Sequence, residues 1–133
     1  MDRDWNDSQP IYRQVRDMLV EMILDGVVKE EEALPVVRYV ATEFRLNPLT
    51  VIKAYQQLVN EGIVEGRRGV GMFVKKGAHK KLLAAEREKF LKEEWPRVYH
   101  TILRLGLDPE ELLRLSAPDE TEVDRDETEE GEA

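Results

Sequence analysis

Between Leu34 and Val74 two short stretches of helical apolar spacing and a glycine-rich hairpin pattern follow one another with almost no spacer. That crowding leaves few ways to bury an apolar face. Behind Leu34-Pro35, the residues Val37, Val40, Ala41 and Phe44 predict a helix of about nine residues, too short to stand without tertiary packing. Arg45-Leu46 is the turn. Asn47-Pro48 starts a second helix: asparagine caps, and proline loses nothing at a first position whose amide hydrogen has no partner. Val51, Ala54, Tyr55 and Leu58 mark its buried stripe. At about 100° per residue, the opposite face carries Leu49, Lys53, Gln56 and Asn60, with Thr50 and Ile52 on the flanks. Gly62 closes this helix. Ile63-Val64-Glu65 and Met72-Phe73-Val74 read as strands joined through Gly66-Arg67-Arg68-Gly69-Val70-Gly71, which sets both arginines on the hairpin tip. Like charges crowded on a glycine-rich tip predict an anionic ligand, such as phosphate or a minor groove.

The flanks read as support and appendage. Pro10, with Ser8 before it as a cap, opens a helix whose stripe is Ile11, Val15, Met18, Leu19, Met22 and Ile23, and Gly26 ends it. Val27-Val28 is expected to be a short strand and Lys29 to Glu32 a charged turn. Beyond Gly77 the spacing is helical again through Leu82, Leu83, Phe90, Leu91, Val98, Tyr99, Ile102 and Leu103, with a kink expected near Glu93 to Trp95 because Pro96 removes a backbone bond. Gly106 ends that segment, and Asp108-Pro109-Glu110-Glu111 starts a last short helix. The expected fold class is mainly α with a small β-hairpin (α+β), a winged helix-turn-helix followed by a short helical region. Its expected boundaries are 1–76 for the winged unit, 77–116 for the helices and 117–133 for an acidic, disordered tail.

Charge sharpens this reading. The net charge of −8 argues against a polyanion partner until its distribution is read. From Pro118 onward there are nine acids and one base, which leaves the first 117 residues with 19 of each sign. Arg38 to Lys92 holds twelve bases and five acids. A local basic surplus is what a polyanion meets, because fields are screened within about 10 Å. The absence of cysteine removes disulfides, thiolate zinc sites and cysteine nucleophiles. No apolar run approaches the roughly 18 residues of a membrane span, and the polar N-terminus is not signal-like, so a cytoplasmic protein is expected.

A helix-turn-helix lays its second helix in the major groove and lets the first cross the backbone. Asn47, Leu49 and Thr50 then stand at the entering end, with Lys53 and Gln56 one turn on. Amides can pair with adenine, and leucine can touch a thymine methyl. Bland readings compete: Asn47 as a pure cap, Lys53 as a solvated lysine, Arg38 as the partner of Glu43 or Glu61. His79 and His100 are isolated, Ser8 and Ser116 are the only serines, and the wing glycines do not open a helix. Neither an enzyme nor a cofactor is expected.

The string Pro10-Ile11-Tyr12-Arg13-Gln14, then Leu34-Pro35 with Arg38, Asn47-Pro48 with Thr50-Val51 and Lys53-Ala54-Tyr55, Leu58, Glu61-Gly62, and Arg67 through Val74 resembles the GntR family of bacterial transcription regulators. The resemblance spans about residues 10 to 75. It implies a homodimer, acting most often as a repressor on a palindromic operator, with DNA contacts from Arg38, Asn47, Thr50, Lys53, Arg67, Arg68 and Gly69. The helical tail is similar to the YtrA-like branch, which implies dimerisation through those helices. Four positions depart from the family pattern: Glu30-Glu31 where a Pro-Gly turn is usual, Val36 for a serine and Leu49 for an asparagine.

The apolar residues Leu82, Leu83, Phe90, Leu91, Trp95, Tyr99, Ile102 and Leu103 outnumber what one amphipathic face can bury, so they predict a dimer interface. A winged helix can also serve as a protein-interaction module, since fold alone does not fix function. The acidic tail is either a competitor for the basic face or a solubilising segment. No ligand-binding domain is visible, which leaves a small-molecule effector open.

Overall fold

The computed structural model describes residues 5–115, so the expectation for the acidic tail falls outside the described residues. Helix α1 spans Ile11–Leu24 and buries Val15, Met18, Leu19, Val20 and Ile23. Pro10 is its cap residue, and no side chain caps it; Ser8 bonds Asn6 instead. The buried Gln14 compensates by tying down the preceding arm, with Nε2 donating to the Asn6 and Gln9 carbonyls at 2.7 and 2.8 Å and Oε1 accepting from the Asn6 amide at 3.1 Å. Gly26, at φ 79, ends the helix. Val27 and Val28 form no strand, because both amides turn back to the Met22 carbonyl at 2.9 and 3.2 Å and close the helix end.

Helix α2 is shorter than expected, Val37–Glu43, because Leu34 is drawn to the hairpin: its amide donates to the Met72 carbonyl at 2.8 Å. The turn after α2 puts Arg45 at φ 54, with the Leu46 amide reaching the Ala41 carbonyl at 2.8 Å. Helix α3, Pro48–Asn60, starts as its sequence dictates, with Asn47 Oδ1 accepting from the Leu49 amide at 2.9 Å. Val51, Ala54, Tyr55 and Leu58 are all buried. Gly62 has φ 75, a backbone conformation that favours glycine.

Strands β1 (Val64–Arg67) and β2 (Gly71–Val74) are antiparallel, with Gly66 opposite Met72 and Arg67 opposite Gly71. The tip is therefore Arg68-Gly69-Val70 alone, and Arg67 stands in the ladder. Residues 31–34 run along the other edge of β2: Glu31 N to Val74 O is 2.7 Å, Val74 N to Glu32 O is 2.9 Å, and Ala33 bridges Phe73. Helix α4, Ala78–Lys89, sends Ala78 and Leu82 into the same core as α1, α3 and the hairpin. Leu82 thus departs from the interface assigned to it. At 1% exposure it is already covered within its own chain.

The chain divides into two compact units between Arg87 and Glu88. In the second, Phe90–Glu94 forms a π-turn and α5 runs Trp95–Leu105 with Pro96 in its first turn. Proline has no amide to donate, so the backbone widens ahead of it, which is the form the expected kink takes. Gly106 ends α5 at φ 65, and Asp108 caps α6 (Pro109–Arg114) by accepting from the Glu110 amide at 3.0 Å. Ile102 is buried, whereas Phe90, Leu91, Trp95, Val98, Tyr99 and Leu103 are exposed.

Candidate nucleic-acid interface

Helix α3 is the second helix of the pair, and three contacts fix it from behind. Tyr55 is buried and donates its hydroxyl to the Pro35 carbonyl, and burial pushes its pKa above the ordinary tyrosine value. Arg16 of α1 bonds Glu61 at the end of α3 and also pairs with Asp17 at 2.9 Å and Glu86 at 3.5 Å. Burial raises the Glu61 carboxyl, but the hydrogen bonds from Arg16 and Gln57 outweigh it and hold the group below its usual range. Lys81 donates to the Glu61 carbonyl at 2.7 Å and neutralises the negative end of the helix.

With its rear face held, α3 presents Asn47, Leu49, Lys53 and Gln56 to solvent, and Thr50 half-buried. The cap bond limits Asn47. One lone pair of its oxygen is taken by the Leu49 amide, which fixes the side chain's orientation and leaves the NH2 free to donate outward. Lys53 is also engaged. Its Nζ sits 4.1 Å above the Tyr12 ring, and Arg13 Nε donates to the Tyr12 hydroxyl at 3.3 Å. That hydrogen bond from Arg13 lowers the Tyr12 pKa. Tyr12, Arg13 and Lys53 therefore form one cationic, hydroxyl-bearing cluster suited to a phosphate. Neither Tyr12 nor Arg13 is among the contact residues expected from the sequence, although an aromatic standing off the apolar stripe of α1 is a visible signal.

The two wing arginines differ. Arg67 pairs with Glu31 at 2.6 Å and Glu65 at 3.2 Å and stacks 4.3 Å over Phe73; the bond from Glu31 foremost raises its pKa. It does not stand on the tip as the glycine pattern suggested, and its charge is balanced at home. Arg68 is exposed beside Gly69 at φ 78. Arg38 and Arg45 are exposed too, and Glu61, one of the two acids expected to compete for Arg38, belongs to Arg16. Arg38, Arg45 and Arg68 carry no ion pair among the described residues. Uncommitted cations around a polar helix N-terminus can neutralise phosphates and donate to base edges.

Among the described residues no group of three His, Cys, Asp or Glu is placed to hold a metal. His79 bonds the Leu24 carbonyl through its ring at 3.2 Å, and its amide donates to the Glu30 carboxylate at 3.1 Å. The Gly77 amide takes the same carboxylate at 3.0 Å, so Glu30 caps the start of α4. Among the described residues no helix is long and apolar enough to cross a membrane.

Residues 11–74 match the model of the gntR family of bacterial regulatory proteins. The HTH-type transcriptional repressor YtrA of Bacillus subtilis is 36% identical over 109 residues, 82% of this chain and 83% of that one. The chain belongs to the GntR family. A second relative, the HTH-type regulator YhcF of B. subtilis, is 31% identical over 85% of this chain and 92% of its own. Among solved structures, a GntR family regulator from Listeria monocytogenes superposes with a TM-score of 0.64 at 25% identity, covering 83% of this chain and 95% of that one. The chain is thus a GntR-type DNA-binding transcription regulator with the winged helix of that family. Both relatives are matched over more residues than the 87 of the first unit, so the likeness reaches into the second.

Proposed function

We propose that the chain is a repressor that binds a palindromic operator as a homodimer, in the cytoplasm. The observation that carries this reading is the exposed surface at the start of α3. Asn47, Leu49, Thr50, Lys53 and Gln56 face outward there, with Arg38, Arg45 and Arg68 unpaired among the described residues. In this arrangement Arg38, Arg68, Gly69 and the Tyr12–Arg13 pair anchor to phosphate, while Asn47 to Gln56 read base edges. Arg67 stiffens the wing from its place beside Glu31. The exposed Phe90, Leu91, Trp95, Tyr99 and Leu103 of the second unit support dimerisation, and a two-fold dimer reads a two-fold site. YtrA, named a repressor, supports the sign of regulation.

Selecting bound duplexes from random DNA tests the reading, with binding measured across salt and the oligomer measured by sedimentation. The expected result is a palindrome, a dimer, and affinity that falls steeply between low and physiological salt as counterions are released. A monomer at all concentrations, or no enriched sequence, overturns it. A dimer that binds no DNA would instead mark the chain as a protein-interaction module.

A further inference from the structure

Three large apolar side chains stand in water around the groove-entering end of α3: Leu49 is 71% exposed, Val36 63% and Tyr39 55%. A surface built only for phosphates and polar base edges has no use for them, and they forgo the gain that burial would bring. Val36 and Tyr39 line one cleft with Val37, Thr42, Pro48 and the unpaired Arg38, a volume of about 790 Å³ open to solvent. On its other side Val36-Val37 borders a smaller cleft of about 240 Å³ that includes Ile52, Gln56 and Met72. The two clefts meet at Val36-Val37, and Pro48, the neighbour of Leu49 at the start of α3, lines the larger one.

We infer that Leu49 and Val36 form a subsite for the C5-methyl groups of thymine, so that this regulator selects its operator partly by apolar contact. The occupant follows from chemistry. The thymine methyl is the one apolar group that base pairs of unmodified DNA offer along the major-groove edge. Arg38, in the same cleft, and Lys53, one turn along α3 from Leu49, give the rim the sign that phosphates require, which an apolar protein partner would not. Leu49, second residue of the helix after its cap, is carried toward the base edges, and Val36, just ahead of α2, broadens the apolar wall. Tyr39 borders it with its ring.

The inference rests on the DNA-reading proposal and is tested so that the two fail separately. Deoxyuridine replaces thymine one position at a time in the selected duplex, removing only the methyl, and binding of the full chain is measured by fluorescence anisotropy. Loss of one buried methyl is expected to weaken binding roughly four-fold, or about fifteen-fold when both halves of a symmetric site are changed. In Leu49→Ala, whose exposed site leaves the fold intact by thermal melting, the thymine and deoxyuridine duplexes should bind alike. Equal affinity of the unaltered protein for every substituted duplex overturns the subsite while the DNA-reading proposal stands. A loss that persists unchanged in both Leu49→Ala and Val36→Ala also overturns it, since duplex stiffness would then be the cause. Failure to bind any selected duplex overturns the underlying reading itself.

Discussion

Arg45 holds its backbone at φ 54, where the side chain of an L residue crowds its own carbonyl at a cost of about 1–2 kcal/mol. It stands in the turn between α2 and α3, it is exposed, and no ion pair among the described residues offsets the strain. Arg45→Gly should therefore stabilise the first unit by about 1 kcal/mol, a rise of roughly 4–8 °C in melting temperature by calorimetry. The same variant should bind DNA more weakly, because the reason to keep a strained cation at this turn lies outside the fold. A lower melting temperature would contradict the strain account. Glu31, at φ 69, is strained in the same way but compensated, since its carboxylate holds Arg67 at 2.6 Å. Glu31→Gly should accordingly change stability less than Arg45→Gly does.

At the scale of the element, the start of α3 combines two duties in one amide. Asn47→Ala removes the cap and should cost about 1 kcal/mol in denaturant unfolding. Asn47→Asp keeps an accepting oxygen for the Leu49 amide but loses the outward donor and adds a negative charge. It should unfold like the unaltered protein and still lose DNA affinity. If both variants lose affinity only in proportion to stability, Asn47 is a cap and nothing more. Helix α3 was legible in the sequence because cap, proline and buried stripe all agree over thirteen residues. Leu34 misled because its partner is Met72, and Arg67 because Glu31 lies 36 positions away; local spacing carries neither contact. Gly66 and Gly71 look like turn residues, yet both lie in the strands. Leu82 was misassigned for a related reason. An apolar stripe shows that a face is covered but not whether the cover comes from the same chain, and here it does.

Across the first unit, Arg16 gathers Asp17, Glu61 and Glu86, and so ties α1 to the end of α3 and to α4. The folded Glu61 carboxyl titrates below its ordinary 4.5, so the stability it contributes is present above that pH and is lost as pH falls through the lowered value. Glu61→Gln should be less stable at pH 7 by about 1–3 kcal/mol, since it leaves the mostly buried Arg16 guanidinium short of a charge. Its stability should also fall less steeply than the parent's between pH 4.5 and pH 3, as read by denaturant midpoints. Parallel acid limbs would mean that another carboxylate governs the loss. One further consequence comes from the backbone bonds between residues 31–34 and β2. They close about forty residues of chain into a ring whose interior is the helix-turn-helix, and the entropy of closing a ring that long is scarcely greater than for one half its length. The wing is thus also a clasp. Its amides at Leu34 and Val74 should exchange with solvent as slowly as those in the middle of α3, because opening the clasp and loosening the helix-turn-helix are one event.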